Sequence, residues 1–268
     1  MPAADFGIKV VRGVTLLVDP AREACFTCVD SDAEMVEWPD MSDVSRRERL
    51  HRHMNNECGA LEIAAQALVD FPDAPWELRL RLARQAADEA RHTAALYRRV
   101  RELGGKKGEF PVMNFEWSFT SRLDSLAGRL AVQNRTFEAG LIDLLGVLRT
   151  TWREAGDGET AELLDGILAD EIVHVRFGNQ WIRQLTELNP GVLLQVAQAV
   201  HVLGQAIRGL AAQDGEVNRS GFILGTKPAP AVNVQGRLEA QFTEEEVKAV
   251  LRQAGFRSIL PHQLGEPA

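Results

Sequence analysis

Two copies of one hexapeptide hold the residue types best suited to chemistry in this sequence. Ala-Asp-Glu-x-x-His occupies residues 87–92 and again residues 169–174. Residues three apart on a helix lie on nearly the same face, so the Glu and the His of each copy point the same way. The repeat therefore predicts two equivalent carboxylate–imidazole pairs, one in each half of the chain.

The duplication extends to a second pair of glutamates. Glu57 and Glu138 are 81 residues apart, and the two Glu-x-x-His motifs are 82 residues apart. In each half the first Glu precedes the motif by 32 or 33 residues, a distance that runs along one helix, around a short loop and back along the next. Each half then offers one Glu that faces one Glu-x-x-His. The residues predicted to bind metal are Glu57, Glu89, His92, Glu138, Glu171 and His174.

Apolar neighbours at helical spacing place these polar residues in the core, as Met54 and Leu61 do for Glu57. Four buried carboxylates repel one another, so they must be protonated or compensated by cations. Two divalent cations supply the balancing charge, and mixed oxygen and nitrogen donors suit iron or manganese. A structural alternative stays open, in which hydrogen bonds satisfy these residues without metal.

Five further residues are candidates for supporting the ligands. We expect Asp88 and Asp170 each to accept the second N–H of a ligating His from the opposite hairpin, which fixes the tautomer of that His. A solvated helix position is the alternative for both. We also expect Arg91 to pair with these carboxylates. Glu62 and Asp143 repeat the 81-residue spacing. Three roles stay open for this pair: support for the ligands, direct binding of metal, and simple ion pairs.

A single Glu-x-x-His arises easily, since chance predicts about 0.5 in a chain of this composition. A third copy is present at Glu48 and His51. Glu48 lies nine residues before Glu57, which turns it about 180° away from the proposed metal face, so we expect this pair at the surface. The remaining histidines have no partner at ligand spacing: His53, His201 and His262.

The elements that must position these residues are long helices. Apolar periodicity and end signals predict four of them, at about 43–70, 73–104, 121–156 and 159–188. Ser42 is the expected N-cap of the first, and Ser121 with Asp124 approximates a capping box for the third. Short loops within each pair and a long link between the pairs predict an all-α, ferritin-like four-helix bundle of two hairpins joined by a crossover.

Two extensions flank this bundle, which we place at residues 42–190 within a single domain overall. The N-terminal extension, residues 1–41, is irregular, with a strand predicted from Val10 to Val18. The C-terminal extension, residues 191–268, is expected to pack on the bundle as additional helices. It is predicted to hold a fifth helix, a Gly- and Pro-rich loop and a short capped helix, at 192–213, 214–236 and from Thr243.

Composition narrows the class of protein. The net charge of −8 disfavours a nucleic-acid partner, because phosphate binding depends on Lys and Arg. No run approaches the length of a membrane span, and no secretory signal is evident, so we expect a cytoplasmic protein without membrane partners. Three cysteines, Cys25, Cys28 and Cys58, argue against a disulfide framework. We expect them to be reduced bystanders.

Several segments resemble the ferritin-like family DUF455, over about residues 45–255. They include NNECGALEIAAQAL (55–68), ADEARHTAALYRRV (87–100) and ADEIVHVRFG (169–178). The Asp-Glu-x-Arg-His motif also looks like that of bacterial multicomponent monooxygenases and ribonucleotide reductase small subunits. More distantly, the architecture is similar to that of the tRNA-hydroxylating di-iron enzyme MiaE. The resemblance implies a ferritin-like bundle with its metal ligands on the six residues above. It implies no substrate.

We therefore expect a non-haem di-iron oxidase or oxygenase that uses O2 as co-substrate on a small organic molecule. Mn/Fe and Mn/Mn pairs share these ligands. Electrons must then come from a reductase or from the substrate, and a monomer or homodimer is expected. The loop from Asn218 to Pro230 is a hypothetical rim of the substrate pocket. Iron handling by a ferroxidase, RNA hydroxylation of the MiaE type and a metal-free scaffold are the alternatives.

Overall fold

Helices dominate the computed structural model of the protein, which describes residues 6–36, 38, 40–214 and 231–254. In these ranges the α-helices are α1 (Asp43–Asp70), α2 (Trp76–Glu102), α3 (Phe115–Thr120), α4 (Leu126–Val132), α5 (Ala139–Glu154), α6 (Gly158–Leu188), α7 (Val192–Asp214), α8 (Val234–Glu239) and α9 (Glu244–Gln253). A π-helical turn, Gln133–Glu138, joins α4 to α5. The strands are β1 (Ile8–Val11), β2 (Val14–Leu17), β3 (Cys28–Val29) and β4 (Val112–Met113). The expected all-α helical bundle is confirmed.

Two helical hairpins form the core of the bundle. Helices α1 and α2 pack along their lengths, and so do α5 and α6. A short connection within each hairpin makes the two helices antiparallel. Pro75 directly precedes α2, where a missing N–H costs little, and the Asp157 side chain caps α6 by accepting the Thr160 N–H at 2.9 Å. Pro75 and the Asp157 cap thus define where the second helix of each hairpin begins.

The third predicted helix differs from expectation. It is not continuous from 121 to 156, since α3 ends before Ser121 and α4 begins only after Ser125. The Ser121 N–H bonds to the carbonyl of Trp117, so Ser121 closes α3 rather than opening the next helix. Ser125 is the actual N-cap, and its Oγ accepts the Gly128 N–H at 3.1 Å. Further along, the π-helical turn carries an extra residue that widens the helix just before α5.

The N-terminal extension forms a β-hairpin where the sequence predicted a single strand. Strands β1 and β2 pair antiparallel around a turn at Arg12 and Gly13, which have φ of 51° and 81°. Left-handed backbone at these two residues ends the strand that we expected to run to Val18. Strand β3 pairs parallel with β4 in the crossover, which ties this extension to the bundle.

The C-terminal extension packs on the bundle through helices α7, α8 and α9. Helix α7 lies against α4, and α8 lies against α5 and α6. The predicted capping box of α9 is present, with the Thr243 side chain and the Glu246 side chain each accepting a backbone N–H of the other. The proposed pocket rim at Asn218–Pro230 lies outside the described residues. Among the helices that the structure describes, none combines the length and apolarity that crossing a membrane requires.

Candidate metal centre

Six buried side chains meet at the centre of the bundle. They form two groups of four, in which one candidate ligand atom per residue lies within 4.8 Å of the others. The first group is Glu57, Glu89, His92 and Glu171, and the second is Glu89, Glu138, Glu171 and His174. None of the six is more than 3 % exposed. The structure therefore brings together all the residues that the sequence predicted as ligands, with Glu89 and Glu171 shared between the groups.

Four helical segments position this cluster. Helix α1 carries Glu57, and the π-helical turn ends in Glu138. Helices α2 and α6 each carry one Glu and one His at i and i+3, which puts both side chains on the core-facing side. Buried apolar side chains of the bundle core lie about one helical turn from these residues in sequence, among them Met54, Leu96, Ile142 and Leu168.

The two histidines turn the same ring atom towards the carboxylates. His92 Nδ1 lies 3.2 Å from Glu57 and 3.1 Å from Glu89. His174 Nδ1 lies 3.2 Å from Glu89 and 3.5 Å from Glu171. Both oxygens of Glu171 are buried, and within the described part of the chain neither accepts a hydrogen bond. Buried carboxylate oxygens without donors beside inward-facing imidazole nitrogens fit the binding of cations.

The outer nitrogens of the same histidines contact aspartates of the opposite hairpin. His92 Nε2 lies 3.1 Å from Asp170, and His174 Nε2 lies 3.4 Å from Asp88. The exposed Arg91 bridges both aspartates, at 3.1 Å from Asp88 and 2.6 Å from Asp170. The two His–Asp contacts lie where the repeat places them, whereas Arg91 has no counterpart in the second motif, where Val173 stands. An Nε2–H that donates to Asp leaves Nδ1 unprotonated, as a metal ligand must be.

Burial dominates the electrostatics of the cluster. It raises the pKa of Glu171 to about 8, with the charge of Glu89 adding to the shift. The pKa of Glu138 is raised well above its ordinary value for the same reason, with Glu171 as the main charge nearby. Burial alone would lower the pKa of His92, but hydrogen bonds to Glu57 and Glu89 raise it to about 11. Without cations, protons must therefore balance the charge.

One histidine near the cluster was missed. The sequence offered His53 no partner, yet its Nε2 lies 2.6 Å from Glu57 Oε1. Burial opposes ionisation of Glu57, but the His53 charge and hydrogen bond hold the pKa of Glu57 well below its ordinary value. The sequence did contain a signal for this contact, because His53 and Glu57 are four residues apart and therefore share a helix face.

Three side-chain amides that the sequence analysis also missed surround Glu138. Gln85 and Gln133 donate to its Oε1, and Asn134 donates to its Oε2 at 2.9 Å. Gln133 also donates to Glu116 at 2.7 Å. Burial raises the pKa of Glu116 to about 8. Asn134 lies four residues before Glu138 and Gln85 four before Glu89, so the same i, i+4 signal was present for both.

The third Glu-x-x-His is not at the surface, contrary to expectation. Glu48 and His51 are 2 % and 0 % exposed. His51 Nε2 accepts the N–H of Gly108 in the crossover at 2.9 Å, and Glu48 pairs with Arg52 at 3.1 Å. The face of α1 opposite the cluster is covered by the crossover, which a helical wheel does not reveal. Neither residue joins the metal cluster.

Glu62 and Asp143 hold the two extensions rather than the cluster. Glu62 pairs with Arg22 of the N-terminal extension, and Asp143 pairs with Arg237 of α8, each at 2.6 Å. Among the alternatives left open by the sequence, the structure favours ion pairs for both. All three cysteines are free thiols.

Together, fold and cluster define a helical-bundle protein with a buried carboxylate–histidine site that fits metal binding. The model of a family of proteins of unknown function, DUF455, matches residues 9–248, and the chain belongs to this family. The resemblance to DUF455 noted from the sequence is thereby confirmed.

One relative is an uncharacterized protein of Haemophilus influenzae (strain ATCC 51907 / DSM 11121 / KW20 / Rd), 30 % identical over 105 residues. The match spans 39 % of this chain and 36 % of that protein, so it covers little more than a third of the relative. No solved structure matches the chain.

Proposed function

We propose that this protein is a non-haem di-iron or Mn/Fe oxidoreductase that uses O2 to oxidise a small organic substrate. One observation carries the proposal: six buried ligands from four helical segments form two overlapping groups that share Glu89 and Glu171. One Glu from each of two helices and Glu-x-x-His from each of two others is the ligand set of di-iron and di-manganese carboxylate bundles.

Each group supplies the donors for one ion. Glu57 with His92 would hold one, Glu138 with His174 the other, and the shared Glu89 and Glu171 lie between them. When bound, such an ion pair supplies the redox chemistry of O2 activation, for which no side chain of the cluster is suited.

The chain itself would control the surroundings of the reaction. The six ligands would lie in the interior of the bundle, none of them more than 3 % exposed. Asp88 and Asp170 hold the histidines in the ligating tautomer. The bound cations would balance the charge of the four carboxylates. They would take the place of the protons that do so when no metal is bound. An external electron donor completes the proposal, since a two-ion centre reduces O2 only when it is itself reduced.

The test begins with metal-free protein loaded with Fe(II) without oxygen. Bound iron is counted, the sample is mixed with O2, and the optical spectrum and O2 consumption are followed. We expect about two irons per chain, as for di-iron carboxylate bundles, and a transient absorption band. Glu57→Gln and Glu171→Gln should lose both.

Glu62→Gln is the matched control, because Glu62 is a carboxylate on α1 whose partner is Arg22 and not the cluster. It should retain iron and the transient band. Binding of less than about half an iron per chain, with no O2 consumption, would show that the repeated motif is structural. Iron oxidation that instead builds a mineral inside a large shell would indicate iron storage.

A further inference from the structure

We propose that this protein forms a homodimer through the outer face of α7, which packs antiparallel against α7 of a second copy around a twofold axis. The dimer is independent of the metal centre and goes beyond the proposed function. Three properties of α7 support it: the exposure of its apolar residues, its lack of charge and the spacing of large and small side chains.

Helix α7 is apolar on two sides. On its inner side Ala199 and Leu203 are buried in one cluster with α3 and the N-terminal hairpin. On its outer side Leu193, Leu194 and Val200 are exposed within the described part of the chain, and Leu194 is 76 % exposed. A helix that is apolar all round is normally buried. The composition of α7 thus predicts that another surface covers its outer side.

The outer face of α7 also carries little charge. From Leu188 to Ile207 the sequence contains no Asp, Glu, Lys or Arg, although 25 % of the chain is charged and the net charge is −8. Two copies with the same net charge associate most readily where neither presents charge to the other. A strongly acidic or basic partner would find no opposite charge on this face. A second copy of the same face is the matching surface.

The spacing of side chains makes this face complementary to itself. One side of the helix presents, at i, i+4, i+7 and i+11, the residues Leu193, Ala197, Val200 and Gly204. When two such helices run antiparallel around an axis midway along this stripe, Leu193 faces Gly204 of the second copy. In the same way Ala197 faces Val200. Each larger side chain meets a smaller one, and each contact occurs twice, as a twofold interface requires.

The ends of the two helices match as well. The same alignment brings Arg208 of one copy close to the α6–α7 connection of the other, where α6 ends at Leu188. The C-terminus of a helix carries partial negative charge and attracts cations. Leu188 is 80 % exposed in the single chain, and the contact would cover it.

The available area is sufficient for a specific dimer of moderate affinity. Leu188, Leu193 and Leu194 are each more than half exposed, and together they offer several hundred square ångströms from each copy. Specific interfaces bury upwards of about 1,000 Å² in total. We therefore expect a dissociation constant of about 10 μM or tighter.

The experiment measures the molar mass of the full chain by light scattering after size exclusion and by sedimentation velocity, in the presence of a chelator. We expect twice the chain mass at tens of micromolar, and dissociation on dilution.

Charges near the axis locate the interface. Ala197→Glu places like charges of the two copies close together and should weaken the dimer at least about 100-fold. Ala94→Glu is the matched control, an exposed alanine of α2 that should leave the dimer intact. Ala197→Lys should also be monomeric. An equal mixture of Ala197→Glu and Ala197→Lys should associate again, because opposite charges then face each other across the axis.

The proposal is overturned if the wild type is a monomer at tens of micromolar, if Ala197→Glu remains a dimer, or if the mixed variants do not associate. The mass of the wild type gives an answer even if a variant fails to fold. Failure of the proposed function appears differently, as absent iron binding, and leaves this measurement unaffected.

Discussion

Replacing Glu171 by Gln should have opposite effects on the protein without metal and on the protein with metal. Without metal, Glu171 is buried and its pKa is raised to about 8, against an ordinary value of 4.5. The carboxyl is therefore protonated in the folded state near neutral pH and ionised in the unfolded state. Folding takes up a proton, so stability falls as pH rises between these two pKa values.

The size of the effect follows from the same two pKa values. At about pH 7 the folded state is disfavoured by roughly 3 kcal/mol, taking about 1.4 kcal/mol per pH unit above the unfolded pKa. At about pH 5 the same calculation gives a destabilisation of the folded state of under about 1 kcal/mol. Glutamine is nearly isosteric and cannot ionise, and neither oxygen of Glu171 accepts a hydrogen bond within the described residues. Little is lost by the exchange.

Bound metal reverses the expected effect of Glu171→Gln on stability. An ion present at 100 times its dissociation constant stabilises the folded state by about 2.7 kcal/mol, which raises the melting temperature of a chain of this length by about 5 °C per site. Glu171 belongs to both groups of candidate ligands, so Glu171→Gln should lose most of this increase at both sites.

The assay is urea unfolding with a chelator across this pH range, followed by thermal unfolding with and without Mn(II). We expect Glu171→Gln to exceed the wild type in stability without metal, by a margin that widens with pH. Glu62→Gln, outside the cluster, should keep the metal-dependent increase. A variant that is less stable than wild type without metal, and still stabilised by Mn(II), would refute the reasoning.

Three further predictions concern other contacts. Asp170→Asn weakens the support of His92 and should lower metal affinity about 10- to 100-fold, measured by competition with a chromogenic chelator; unchanged affinity would contradict it. Arg237→Ala leaves Asp143 buried without its partner and should cost about 3–5 kcal/mol in urea unfolding, whereas a cost near zero would show that the pair is dispensable. His51→Gln should be less stable than wild type at neutral pH. Burial lowers the pKa of His51 below 6.5. As pH falls below that value, the unfolded wild type takes up a proton that the folded wild type does not, so the wild type loses stability and the variant does not. The gap between the two proteins should then narrow, and a constant gap would contradict the assignment.

The spacing of the ligands could be predicted because local geometry decides it. A helix repeats its faces every 3.6 residues, and a short loop returns the chain at the same height. Glu57 and Glu89 therefore had to face each other once both helices formed, whatever the rest of the protein does. The Asp of each repeated motif lies near the His of the opposite hairpin for the same reason, Asp88 near His174 and Asp170 near His92.

Other features depended on contacts between residues distant in the chain. A helical wheel identifies residues that share a face but not the segment that covers it. Glu48 and His51 were assigned to the surface because nothing local showed that the crossover would bury them. Likewise, Glu62 and Asp143 find their partners in Arg22 and Arg237, which lie in the two extensions.

The sequence by itself determined the helical hairpins and the six residues that meet between them, since both follow from short-range periodicity and its repetition. Only the tertiary structure decided where the third helix breaks into a π-helical turn, and which amides surround Glu138. It also decided that the buried Arg129 pairs with Asp70 of α1. Such a contact depends on the packing of separate helices, and no single helix specifies it.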